Sequence, residues 1–191
     1  LEAAQARKYA AITRAAGLTG GQDVLEIGCG WGGFAEYAAR DLGCRVTALT
    51  ISREQVDFAR ARIAKAGLAD RVEIALRDYR DERGVYDAVV SIEMVEAVGE
   101  AYWPNYFAAL RDRLRPGGRA AIQSITIDER IFPRYRREMD FIRRYVFPGG
   151  MLPTPTHLRT LGANAGLALT QDVAFGADYA QTCRIWRNHF E

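Results

Sequence analysis

An α/β fold, with a mostly parallel central sheet covered by helices on both faces, follows from three features of this sequence. Short β-branched runs alternate with longer amphipathic stretches through short connections, the pattern of strand-helix-strand crossovers. The first run, Val24-Leu25-Glu26-Ile27, passes straight into a glycine-rich turn, Gly28 to Gly33, and then into a helical pattern from Phe34 to Leu42. Finally, 191 residues of which 49% are hydrophobic can bury one sizeable core, so residues 1–191 read as a single domain.

Taken in order, residues 2–16 place Ala, Tyr9 and Ile12 at helical spacing and stop at Gly17. Strand one spans about 23–27 and is followed by a helix to about 42. Strand two runs from Arg45 to Leu49, after which Ser52 with Glu54 and Gln55 forms the cap and first turn of a helix that Gly67 stops. Strand three is Arg71 to Leu76, strand four Tyr86 to Ile92, and Tyr102 to Leu114 is helical. Arg115-Pro116-Gly117-Gly118 then turns into strand five, Arg119 to Ile127. Ligands of such a sheet sit at the carboxyl ends of the strands, where the loops at Gly28, Thr50, Asp78 and Ser91 converge.

Beyond strand five the pattern changes to a helical insertion, residues 130–166. Arg130, Arg134, Arg136, Arg137, Arg143 and Arg144 stand against only Glu138 and Asp140, interleaved with Phe132, Tyr135, Phe141, Ile142, Tyr145 and Phe147. A solvated helix with an ordinary core stripe would carry the same residues. A rigid Pro/Gly loop, 148–155, precedes a helix capped by Thr156 and ended by Gly166; Leu167 to Phe175 reads as a sixth strand and Tyr179 to Phe190 as a last helix.

The formal net charge is +2, so global electrostatics favour neither nucleic acid nor membrane, and no nucleic-acid partner is expected. Cys29, Cys44 and Cys183 lack disulfide or metal-ligand spacing, which fits a reducing cytoplasm and no metal site. No run approaches the roughly 18 apolar residues of a membrane span, and Leu1 begins a polar helical pattern rather than a signal peptide.

Glycines at 28, 30 and 32 allow positive φ and close approach of a ligand to backbone N–H groups. The spacing Gly28-x-Gly30-x-x-Gly33 formally meets a dinucleotide template. Against it stands Glu26, a carboxylate beside the loop that repels a pyrophosphate but suits a cationic amino-acid moiety.

Glu-x-Gly-x-Gly, residues 26–30, resembles the first motif of class I S-adenosylmethionine-dependent methyltransferases. Four further segments, Leu49 to Gln55, Ser91 to Gly99, Phe147 to Pro153 and Tyr179 to Trp186, together make nearly the whole chain similar to the cyclopropane fatty acid synthase family. The resemblance implies a three-layer Rossmann-like sandwich and methyl transfer from S-adenosylmethionine to the cis double bond of a phospholipid acyl chain. It also implies a cytoplasmic enzyme peripheral to the inner face of the membrane, with residues 130–166 facing lipid and a homodimer as a candidate assembly.

By the same resemblance, Gly28 and Gly30 approach the methionine portion of the cofactor, with Glu26 beside them. Thr50, Ile51 and Gln55 lie toward ribose and adenine, and Asp78 and Tyr79 at the adenine edge, with Ser91 on the same rim. Family members are thought to remove the last proton with a bound bicarbonate, held by a glutamate, a histidine and backbone groups. Glu96 matches the glutamate and Ile125 anchors the backbone segment, but Gln123 replaces the histidine, and an amide carries neither a proton nor a positive charge. Glu93 is a rival for the role of Glu96. A family segment covering the cofactor is expected before Leu1. A final helix and antiparallel strand, with a tyrosine reaching the anion site, are expected after Glu191. The expected product is a cyclopropane fatty acid, and addition of an unclosed methylene or methyl branch, methylation of a nitrogen or oxygen acceptor, and a silent cofactor- or lipid-binding module are the competing readings.

Overall fold

The computed structural model describes residues 1–191. Five strands form one parallel sheet in the order β3-β2-β1-β4-β5: β1 Asp23–Ile27, β2 Arg45–Thr50, β3 Val72–Leu76, β4 Tyr86–Ile92 and β5 Leu114–Gln123. The helices are α1 Glu2–Ala15, α2 Gly33–Leu42, α3 Arg53–Lys65, α4 Val95–Val98, α5 Trp103–Asp112, α6 Phe132–Arg137, α7 Pro155–Asn164 and α8 Gly176–Phe190. No helix is long and apolar enough to cross a membrane.

The two-residue period of β1 divides its side chains between two cores. Val24 packs with α1, α2 and α3 residues such as Ile12, Phe34, Ala38 and Ile63, while Leu25 and Ile27 pack with Tyr106, Phe107 and Leu110 of α5. Both faces are covered, so β1 and β4 read as continuous apolar runs rather than alternating ones. The small residues Ala35, Ala38 and Ala39 on α2 are all buried, which lets this helix lie close on the sheet. Glu26 shares the α2 face with Val24, so the strand's periodicity alone buries a carboxylate beneath the start of α2.

At the amino-terminal edge of the sheet, four strands are joined by a network of ion pairs. Asp23 of β1 meets Arg45 of β2 at 2.7 Å and Arg115 of β5 at 2.9 Å, and Arg115 also meets Asp87 of β4 at 2.7 Å. The Asp87 carboxylate in turn accepts the Asp23 N–H. A groove of about 510 Å³ lies at this end, beside Arg45, Arg71 and Tyr86. It is at the wrong end of a parallel sheet for a ligand site.

Three expectations are corrected. Leu167 to Phe175 is not a strand. No backbone N–H of residues 168–175 donates to the backbone, and Leu169 and Val173 are more than 60% exposed, because apolar alternation makes a strand only where a sheet edge adjoins it. Strand five ends at Gln123 instead of Ile127. The Arg115–Gly118 turn is a bulge inside it, where the register jumps from Tyr86↔Leu114 to Ala88↔Arg119. The cap of α7 is Thr154, not Thr156: Pro155 occupies the first turn and keeps the preceding residue extended, so the cap falls one place before the proline. Thr154 Oγ1 accepts the His157 N–H while His157 Nδ1 accepts the Thr154 N–H, closing a capping box. The helical insertion itself is built of short pieces, α6, a π-turn at Ile142–Val146 and α7.

Candidate functional site

The carboxyl ends of β1, β2 and β4 form one rim. After Ile27 the chain turns through Gly28 at φ 82°, Gly30 at 52° and Gly32 at 77°. Gly28 and Cys29 both donate to the Leu49 carbonyl, which ties the loop to the end of β2. A Cβ on Gly28 would meet Met94 Sδ at 3.0 Å and one on Gly32 would meet Ala59 Cβ at 3.0 Å, whereas the space over Gly30 is open. The loop is thus packed from below and accessible at Gly30. Beyond it α2 begins at Gly33 with no side-chain cap on its first N–H groups.

Glu26 lies under this turn, 2% exposed, with Oε2 lacking any partner. Burial drives its pKa well above the ordinary value, opposed only by the Ala35 N–H in the first turn of α2. Burial likewise pushes the neighbouring Cys29 thiol up to about 12, so Cys29 is a packing residue and not a nucleophile.

Around the rim, Thr50 donates to Gln55 Oε1 at 2.6 Å and accepts from the Ser52 N–H, while Ser52 caps α3. Thr50 and Gln55 are therefore held in the first-turn geometry of that helix, with Ile51 projecting into solvent beside them. Asp78 caps the short turn Tyr79–Asp81 and is gripped by the Arg80 guanidinium, which holds its carboxyl below the usual range. Tyr79 packs edge-on against Tyr106. Ser91 is fully buried and donates to the Ile27 carbonyl at 2.8 Å, so its hydroxyl fastens β4 to β1 and does not line the rim.

A second cluster gathers where β4 and β5 end. Gln123, 8% exposed, donates from Nε2 to Glu93 Oε1 at 2.7 Å and lies 3.3 Å from the Tyr179 hydroxyl of α8. Glu96, on α4, accepts the Ile125 N–H, and its Oε2 is buried without a partner. Burial raises the Glu96 pKa, and nearby Glu93 adds to the shift. The structure therefore brings Glu93, Glu96, Gln123 and Ile125 together. It adds Tyr179, so a phenol already stands in this cluster without one from beyond Glu191. The sequence signal for it was the Tyr179 to Trp186 segment, whose Tyr179, Thr182 and Ile185 are spaced three apart and form the half-buried face of α8. His157 lies outside the cluster, in its capping box.

Sheet order, glycine turn and rim define a class I S-adenosylmethionine-dependent methyltransferase domain. Within that class the chain belongs to the mycolic acid cyclopropane synthetase family, whose model matches residues 1–191. It is 46% identical over its whole length to tuberculostearic acid methyltransferase UfaA1 of Mycobacterium tuberculosis, covering 44% of that protein. It is 35% identical to the cyclopropane-fatty-acyl-phospholipid synthase of Escherichia coli, covering 47% of that one. The chain thus spans about half the length of the curated relatives it matches. The cyclopropane synthase MmaA2 from Mycobacterium tuberculosis superposes with a TM-score of 0.87 at 25% identity, over 97% of this chain and 68% of the other.

Proposed function

We propose that the protein containing these residues transfers the methyl group of S-adenosylmethionine to the double bond of an unsaturated fatty acyl chain in phospholipid. The observation that carries this reading is the rim itself, where an open glycine turn over an unpartnered buried carboxylate shares the strand ends with the Glu93–Glu96–Gln123 cluster. The residues fit the cofactor. Gly30 admits a ligand to the backbone, the first N–H groups of α2 other than that of Ala35 suit a carboxylate, and an ammonium is the group that would satisfy Glu26 Oε2. When bound, the cofactor supplies an electrophilic methyl on a positive sulfonium.

The chain's own residues hold the acceptor and manage the charge that results. An alkene is a poor nucleophile, so it must be placed in line with the methyl and the resulting cation kept from water. Exposed Phe141, Ile142, Tyr145 and Phe147, beside Arg137 and Arg144, suit an acyl chain delivered from an anionic membrane surface at the inner face. Gln123 favours a second outcome, a methylene-branched chain or a methyl-branched one that keeps a double bond in place of a cyclopropane, because an amide cannot supply the polarity of a protonated histidine during ring closure.

Mass spectrometry of lipids from cells expressing the full-length gene tests the reading. Acyl chains heavier by one CH₂ are expected, and their fragmentation separates ring from branch. A methylated amine or alcohol with unchanged lipids would move the assignment to a nitrogen or oxygen acceptor. No methylated product despite cofactor binding would leave a silent binding module.

A further inference from the structure

A cation left on the acyl chain needs a base within reach, and the ends of β4 and β5 present two carboxylates, Glu93 and Glu96. Their surroundings differ. Glu96 is engaged with the Ile125 N–H, and its second oxygen is sealed from solvent. Glu93 is exposed toward the rim, with Oε1 held by Gln123 and Oε2 taking no protein partner. It is also the one non-glycine residue of the chain with positive φ, 54°, a conformation that persists only where surrounding structure enforces it. The Glu93 N–H donates to the Gln123 carbonyl, so Gln123 fixes both the backbone and the side chain of Glu93.

The residues present do not fit a bound bicarbonate. Of the donors such an anion needs, the Ile125 N–H and the Gln123 amide are each taken by a carboxylate of the chain itself, which leaves only the Tyr179 hydroxyl beside the Gln123 amide. A third negative group would stand against two others. The groups facing Glu93 are Lys8 and Tyr9 from α1, Glu96 from α4 and Gln123 from β5, with Tyr179 of α8 reached through the Gln123 amide. Of these, Lys8 alone is cationic, and no ion pair joins it to Glu93.

We propose that Glu93, oriented by Gln123, takes the proton from the methylated acyl cation, in place of a bound bicarbonate; this rests on the methyl-transfer reading above. A C–H bond of the added methyl breaks, and its electron pair closes the ring or forms the methylene double bond. The proton passes to Glu93 Oε2 and leaves to water before the next turnover. Glu96 is a positioning residue, holding residues 124–125 in place.

The test uses the full-length protein, vesicles of mono-unsaturated phosphatidylglycerol and labelled S-adenosylmethionine, in buffers with and without bicarbonate. Wild-type turnover is expected to be indifferent to bicarbonate. Glu93→Gln should lose about 10²-fold in kcat while its affinity for S-adenosylhomocysteine stays within about twofold. Glu93→Gly should lose as much yet melt no lower than wild type, since glycine adopts this φ freely, and formate or bicarbonate should restore part of its turnover by filling the space of the lost carboxylate. Glu93→Gln within threefold of wild type, or a wild-type rate that collapses without bicarbonate, would overturn the proposal. A wild-type protein that binds the cofactor but methylates no acyl chain would instead bring down the methyl-transfer reading, and this inference with it.

Discussion

Glu26 is a carboxylate buried without a counter-charge, and its energetics run opposite to those of the acids at the other end of the strands. Burial raises its folded-state pKa above the ordinary 4.5, so the folded chain keeps a proton that the unfolded chain has already lost. Its contribution is full below that ordinary value and declines as pH rises toward the folded one. Asp23 and Asp87 behave in the reverse sense. Hydrogen bonds from Arg45 to Asp23 and from Arg115 to Asp87 lower their pKa values, and the stability they add is lost as pH falls through the folded values. Glu26→Gln should therefore gain stability on wild type as pH rises above about 5 in chemical denaturation, while its affinity for S-adenosylmethionine drops about tenfold or more for want of the carboxylate. Gly28→Val should abolish cofactor binding in calorimetry. A β-branched residue at φ 82° is strained by at least about 1–2 kcal/mol, and its Cβ meets Met94. The glycine turn and the place of Glu26 beside it could be read from local residue types and spacing, whereas Glu96, Gln123 and Ile125 were reached only through the family resemblance. That Ser91 would turn inward to Ile27, or that Glu93 would face Gln123, was not legible, because both depend on which strand lies alongside.

Elements were legible where local chemistry decides them. Ser52 caps α3 as its spacing implies, and the first four strands fall within one residue of their expected bounds. The expected sixth strand failed because pairing, not alternation, makes a strand. The cap of α7 was displaced because Pro155 outweighs the Thr156 signal. Thr154 is fully buried, so Thr154→Ala should destabilise the protein by about 1–2 kcal/mol, visible as a lower denaturation midpoint with unchanged slope. In the basic insertion, Arg134 and Arg136 pair with Glu138 and Glu100, and Arg143 donates to the Tyr135 and Glu138 carbonyls while lying over the Tyr135 ring. Arg137 and Arg144 have no acidic partner and are the two available to lipid phosphates. Replacing both with Ala should weaken sedimentation with anionic vesicles by about 2 kcal/mol, an effect that salt erases. Equal binding to neutral vesicles would return the segment to a solvated role.

At the scale of the molecule, the five parallel strands put every chemical group of the candidate site at one end and the ion-pair network at the other. Asp23, Arg45, Asp87 and Arg115 lace together β1, β2, β4 and β5 where no ligand is expected. The opposite end keeps an unpartnered Glu26, an unpartnered Glu96 oxygen and glycines that hold the turn open. The sheet is thus fastened at one end and left open at the other, and its amides should exchange with solvent accordingly. In deuterium exchange, residues 23–25, 45–47 and 86–88 should be the slowest of the chain with or without ligand. Residues 28–33 and 93–98 should exchange faster in the free protein and slow sharply on adding S-adenosylhomocysteine. Protection that rose equally at both ends would mean that the ligand tightens the whole sheet, whereas protection confined to the rim would mean that the network already holds the far end as rigid as it can become.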